Sequence, residues 1–292
     1  MMIEQSILQY AATGAQSNGY IDLARSLSAV NGKSIAQTKR SDGKYKPLGF
    51  MVRVRALVGD VAIQTLNCGY PTRNAVVLAG AARDAMLKSA GISRSNLESY
   101  QKELRIQYDT DMDGNRTDVG GSTKMYFPGA SDIGTGSGGW AVDKVYDYTK
   151  LTIVDPDGST APISKTLRML GTQAADDADW DDDTGFYVVD NWKNFRHSFT
   201  PASTTNDIAN NVFSWAMQQS SSAQAIIDVI DDEADEKPYE LNDFTTTSMA
   251  TVVGTGVGNP TSAVFCVPLG LMKLTTAASA SWEIEVVGVT EL

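Results

Sequence analysis

Apolar and polar residues alternate along much of this chain, and the alternation has a period of two. In "KPLGFMVRVRAL" the apolar Val52 and Val54 interleave with Arg53 and Arg55, the pattern of a strand with one face in a core and one in water. Gly59-Asp60 interrupts it, and "VAIQTLNC" resumes as a second strand. Further strand candidates are "KMYFPG", "DYTKLTIVD", "SKTLRML", "GFYVVD", "NFRHSFT", "TSMATVVG", "SAVFCVPLGLMKL" and "SWEIEVVGV". Turn signals lie between several of them: "SDGK", "DPDG", "DDDTG" and "GVGNP".

Two stretches change to a helical period. "TRNAVVLAGAARDAMLKSAG" places Val76, Val77, Gly80 and Leu87 near one face and stops at Gly91. "TTNDIANNVFSWAMQQSSSAQAIIDVID" groups Ile208, Val212 and Trp215. Each follows a strand and a polar turn, and each is followed by more strands. This repeat of order, with little repeat of residue identity, predicts two β-rich halves that meet near Asp155–Ser164.

The charge is unevenly distributed. Met1–Tyr108 holds 14 basic and 7 acidic side chains; the rest holds 10 basic and 28 acidic, for a net charge of −11. An acidic second half disfavours duplex nucleic acid as a partner. It favours pairing between Arg25, Lys39, Arg40, Arg53 or Arg55 and the acidic runs Asp176–Asp183 or Asp231–Glu236 of a neighbouring copy. The opening "MMIEQSILQYAA" has no basic n-region and predicts no signal peptide. It reads as a short amphipathic segment with Ile3, Ile7 and Leu8 on one side, docked on a neighbour or on lipid. Phe244–Met272 is long and uncharged, but its Gly, Pro and Thr content predicts buried strands rather than a membrane span. Cys68 and Cys266 are the two cysteines, in apolar or small-residue settings that predict buried free thiols.

Candidate chemistry is sparse. "YDTDMDGNRTDVGG" spaces Asp109, Asp111 and Asp113 like the start of a calcium loop, with Gly114 after them. The twelfth position of such a loop needs a bidentate carboxylate and is Gly120 here, while Asp118 comes two places early. Asp109, Asp111, Asp113 and Asp118 are therefore the metal candidates, for calcium, and no other cofactor is expected. Gly32-Lys33-Ser34 lacks the upstream glycine of a phosphate loop, since position 27 is Leu27. Gly134, Gly136 and Gly139 have dinucleotide-loop spacing but no strand–helix setting. His197 is the only histidine, which rules out a histidine-rich zinc site, and no G-x-S-x-G elbow occurs. The acidic runs read as solvated loops. No catalytic constellation emerges, and an enzyme is not expected.

A β-rich chain of this size and layout resembles the double jelly-roll major capsid proteins of tailless icosahedral viruses, such as corticoviruses and lipid-containing single-stranded DNA phages. The residues that carry the resemblance are "GYIDLARSLSAVNGKSIAQTKRSDGKYKPLGFMVRVRAL" as opening strands, the helices after "NCGYPTRNA" and "STTNDIANN", and the closing "SWEIEVVGVTEL". The resemblance implies an all-β dominated fold of two tandem eight-stranded jelly rolls, each with an inserted helix. It divides the chain into an N-terminal segment 1–18, a first roll 19–158 and a second roll 159–292. It also implies a homotrimeric, pseudo-hexagonal capsomer in the virion shell, made in the host cytoplasm. Its partners would be further copies of the chain, other virion proteins such as a vertex protein, and an internal membrane, with no sequence-specific nucleic acid. The alternative is a β-sandwich surface protein that binds glycan or calcium.

Overall fold

The computed structural model describes residues 6–12, 15–31, 33–97, 102–113, 148–153, 163–171, 185–190, 192, 246–252, 262–278 and 280–292. These residues are mostly β-strands in antiparallel sheets, with few helices. The strands near the start of the chain are β1 (Ile7–Ala11), β2 (Gln16–Asp22), β3 (Thr38–Ser41), β4 (Lys44–Val58) and β5 (Val61–Leu66). Those at its end are β9 (Thr246–Val252), β10 (Ser262–Pro268), β11 (Leu271–Thr276) and β12 (Ser281–Glu291). Between them lie β6 (Lys150–Ile153), β7 (Ile163–Arg168) and β8 (Gly185–Tyr187).

The pairings are nested. β1 pairs with β12, β2 with β11, β4 with β10 and β5 with β9, all antiparallel. This is one long hairpin whose arms are the two ends of the chain. β4 also pairs with β12 and β5 with β11, so the hairpin is rolled over itself. Two sheets result, ordered β1-β12-β4-β10 and β2-β11-β5-β9, with β3 added beside β4. Each of the two sheets therefore mixes strands from both ends of the chain.

The sequence pattern explains which faces turn inward. Phe50, Val52, Val54 and Ala56 of β4 and Trp282 and Ile284 of β12 are fully buried, while Arg53, Arg55, Glu283 and Glu285 alternate outward. Val61 and Ile63 of β5 and Leu271 and Leu274 of β11 close the core from the second sheet. Crossings between sheets use left-handed backbone: Gly59 (φ 68°) between β4 and β5, and Leu269-Gly270 (φ 58° and 72°) between β10 and β11. The "SDGK" signal forms the β3–β4 hairpin, with Asp42 and Gly43 both at positive φ.

Several sequence expectations are corrected here. Strands on both sides of the expected 158/159 division share both sheets, so this roll is closed by the chain's two ends and residues 67–245 are inserted between β5 and β9. The expected junction falls largely on residues 154–162, outside the described residues, as does the second expected helix. The alternation reports which residues share a face but not which strand lies next door, and that is why tandem halves and a wrapped hairpin look alike in sequence. The N-terminal segment contributes a strand. Ile7 points outward at 45% exposure while Leu8 is buried, so they lie on opposite faces. Part of the expected opening strand is instead α1 (Leu23–Asn31), capped by Asp22, whose Oδ1 accepts from the Arg25 N–H at 3.0 Å.

The first expected helix is present as α2 (Tyr70–Ser89). Pro71 sits in its first turn, where a missing N–H costs nothing. Gly91 (φ 69°) ends it, with the Ile92 N–H donating to Leu87 O at 2.8 Å. α2 packs on β4, and Gly80 is what allows it: a Cβ there would collide with the ring of Tyr45.

Candidate functional site

Three of the expected calcium ligands, Asp109, Asp111 and Asp113, lie where the insertion meets the roll. Tyr108–Asp113 ends in a short 3-10 turn at Asp111–Asp113, which Asp109 caps by accepting from the Met112 N–H at 3.1 Å. The other Asp109 oxygen accepts from the Tyr20 hydroxyl at 2.7 Å and lies 3.6 Å from the Lys273 ammonium. Lys273 also stands over the Tyr20 ring, 5.3 Å from its centroid. Burial pushes the Asp109 carboxyl above its ordinary range, with Tyr20, Lys273 and the Met112 amide opposing that rise. Burial, reinforced by Asp109, pushes the Tyr20 hydroxyl far up. It therefore stays a donor.

Asp113 has different partners. One oxygen accepts from Gln107 Nε2 at 2.6 Å and the other from Arg168 Nη2 at 2.7 Å. Arg168 Nε donates in turn to Gln107 Oε1 at 3.2 Å. Residues 105–108 run beside β7, with Gln107 N–H donating to Leu167 O and Met169 N–H to Gln107 O, each at 2.9 Å. β7 pairs antiparallel with β6 and parallel with β8, so this inserted sheet is mixed.

These contacts form a clasp. Asp109 ties the insertion to β2 and β11 of the roll, and Asp113 ties the same loop to β7. A second polar link runs through Asp22, whose Oδ2 accepts from Gln37 Nε2 at 2.9 Å and from the Tyr148 hydroxyl at 3.0 Å. The carboxylate oxygens of Asp109 and Asp113 point at protein donors, and a lysine and an arginine stand where a cation would sit. The geometry suits an internal fastening better than an oxygen cage for calcium. Among the described residues, no group of three or more His, Cys, Asp or Glu could hold a metal ion. Asp118 lies outside the described residues, as do His197, Gly134–Gly139 and both acidic runs. Ser34 of the Gly-Lys-Ser tripeptide accepts from Arg105 Nη2 at 2.7 Å, an internal contact.

Sequence reasoning found the aspartates but missed Tyr20, Gln107, Arg168 and Lys273, which give them their role. Tyr20 and Asp109 are 89 positions apart, and Arg168 and Asp113 are 55 apart, so no local spacing advertises either pair.

The outer face of the first sheet is the other candidate surface. Register places Ile7, Glu285, Arg53 and Val264 in one row across β1, β12, β4 and β10, and Gln9, Glu283, Arg55 and Ser262 in another. Within the chain itself these basic residues already have acidic partners. Arg53 meets Glu285 at 2.8 Å and Arg55 meets Glu283 at 3.7 Å, both from the chain's own last strand. Lys39 reaches Glu291 at 2.6 Å and Arg40 reaches Asp84 at 2.9 Å, while Arg25 is buried. The face is charge-balanced at its centre and apolar toward its edges, where Ile7 and Val264 are 45% and 59% exposed.

No family model, no curated protein and no solved structure matches the chain significantly.

Proposed function

We propose that this chain is a structural subunit of an icosahedral virus shell and acts by assembling with copies of itself. The observation that carries the reading is the nested pairing of the two chain ends into sheets β1-β12-β4-β10 and β2-β11-β5-β9. Shell proteins and lectins both use this wrapping. A long insertion between β5 and β9 and an outer face with exposed Ile7, Val264 and Val287 favour the shell. Edge strands such as β1 and β10 need a neighbour or a cover, and shell contacts supply one. A trimeric capsomer built from two rolls per chain remains the proposed assembly.

The glycan- or calcium-binding sandwich is the competing reading, and the protein donors already bound to Asp109 and Asp113 weigh against its calcium form. Size-exclusion chromatography with electron microscopy of the purified full chain separates the two. Trimers or shell-sized particles are expected. A concentration-independent monomer whose melting temperature rises with calcium would overturn the shell reading.

A further inference from the structure

The chain has two cysteines, 198 positions apart, and the fold brings them together. Cys68 follows β5, where the chain leaves the roll for its long insertion, and Cys266 lies in β10. The Cys68 thiol points at Cys266, with its Sγ 3.8 Å from the Cys266 carbonyl oxygen. Cys68 is exposed and Cys266 half-buried, so neither is the fully buried thiol that the sequence suggests. Room for Cys266 is made by Gly49 in β4, where a Cβ would stand 2.7 Å from the Cys266 Sγ.

We propose that Cys68 and Cys266 are a disulfide-forming pair that locks the root of the insertion to β10 once the protein meets a low-molecular-weight disulfide such as oxidised glutathione. Cys68 is the attacking group, being exposed and acidified. Its contact with the Cys266 side chain pushes the Cys68 thiol down, while the same contact and burial push Cys266 up, so Cys266 is the protonated partner. The Cys68 thiolate attacks one sulfur of the small disulfide, forming a mixed disulfide and releasing one thiolate. Cys266 then gives up its proton, attacks the Cys68 sulfur and expels the second thiol. Two electrons pass from the cysteine pair to the small disulfide, which leaves as two thiols. The closed loop contains the whole insertion, so the bond restricts the unfolded chain strongly.

The test uses the folded full-length chain in glutathione buffers of increasing oxidation, followed by alkylation, intact mass measurement and peptide mapping. The expected result is a monomer that loses two hydrogens, carries a single Cys68–Cys266 link and unfolds at higher denaturant than the reduced form. The shift should vanish in both Cys68→Ser and Cys266→Ser. Because Cys68 is exposed, Cys68→Ser tests the link even if the β10 variant folds poorly. Glutathione stably attached to Cys68 with Cys266 still alkylatable, or a Cys68–Cys68 dimer, would overturn the proposal.

Discussion

Trp282 of β12 stacks on Tyr10 of β1, with ring centroids 5.8 Å apart and planes 12° from parallel. Both side chains are almost wholly buried, so the last strand of the chain holds the first through its largest core residue. Trp282→Ala should destabilise by about 3–5 kcal/mol, the range for emptying an aromatic site in a core. Trp282→Phe should cost well under half of that, because Trp282 Nε1 finds no acceptor among the described residues and phenylalanine removes the unsatisfied donor. Equilibrium denaturation with an unchanged slope reads both values. Equal costs for the two variants would show that the indole N–H is satisfied after all.

Gly80 of α2 faces Tyr45 of β4, and even the Tyr45 Cγ would lie only 2.7 Å from an added Cβ. The tyrosine cannot swing away easily. The guanidinium groups of Arg40 and Arg94 stand 5.6 and 5.0 Å from its ring centroid, and its hydroxyl donates to Lys102 O at 3.2 Å. Gly80→Ala would gain about 1 kcal/mol of helix propensity on an open surface. Here overpacking of about 1–3 kcal/mol should outweigh it, and the variant should be less stable. Thermal unfolding gives the sign directly, and a stabilised Gly80→Ala would mean that α2 can lift off β4.

These two contacts show what the sequence made legible. The helix was readable from its period and its Gly91 stop, and β4, β5, β10, β11 and β12 from alternation and turn glycines, because those signals are local. α1 was missed although Asp22 stands as a cap before Leu23, Ala24 and Leu27; the strand-like residues around it masked a helix of nine residues. Sheet order was not legible. The pairing of Tyr10 with Trp282 spans nearly the whole chain, and alternation is indifferent to partner. The aspartate loop was noticed for its spacing, yet its chemistry depends on Tyr20, Lys273 and Arg168, which only the fold brings near.

Asp109 gives a pH dependence with a definite sign. Its folded-state pKa lies above the ordinary 3.8, chiefly through burial. Below both values the carboxyl is protonated in either state and contributes no difference. As pH rises toward and through the folded value, the unfolded chain ionises first, so Asp109 subtracts stability over that window. The stability difference between wild type and Asp109→Asn should therefore shrink as pH rises from about 3 toward neutrality, because aspartate titrates from about 3.9 upward and asparagine does not. Urea denaturation across that range measures it. A difference that grows with pH would mean that Lys273 and Tyr20 outweigh burial and hold the carboxylate ionised.

The Arg53–Glu285 pair decides where the basic residues of the early strands find their charge. It is a direct cross-strand pair of β4 and β12 at 2.8 Å, and the arginine side chain is 45% exposed. Exposed pairs of this kind contribute about 0–1 kcal/mol, so an Arg53→Ala, Glu285→Ala double-mutant cycle should return a coupling in that range. Screening acts over about 10 Å at 0.1 M salt, and the coupling should weaken further near 1 M. The consequence for assembly is sharper. With Arg53 and Arg55 neutralised inside their own chain, adding salt should loosen any trimer or particle only slightly, and the swap Arg53→Glu with Glu285→Arg should assemble as the wild type does. Arg53→Glu alone should lower fold stability before it affects contacts between chains. If instead that single reversal leaves the monomer as stable as wild type but abolishes assembly, Arg53 reaches an acidic group on a neighbouring copy, and the intrachain ladder is not its main partner.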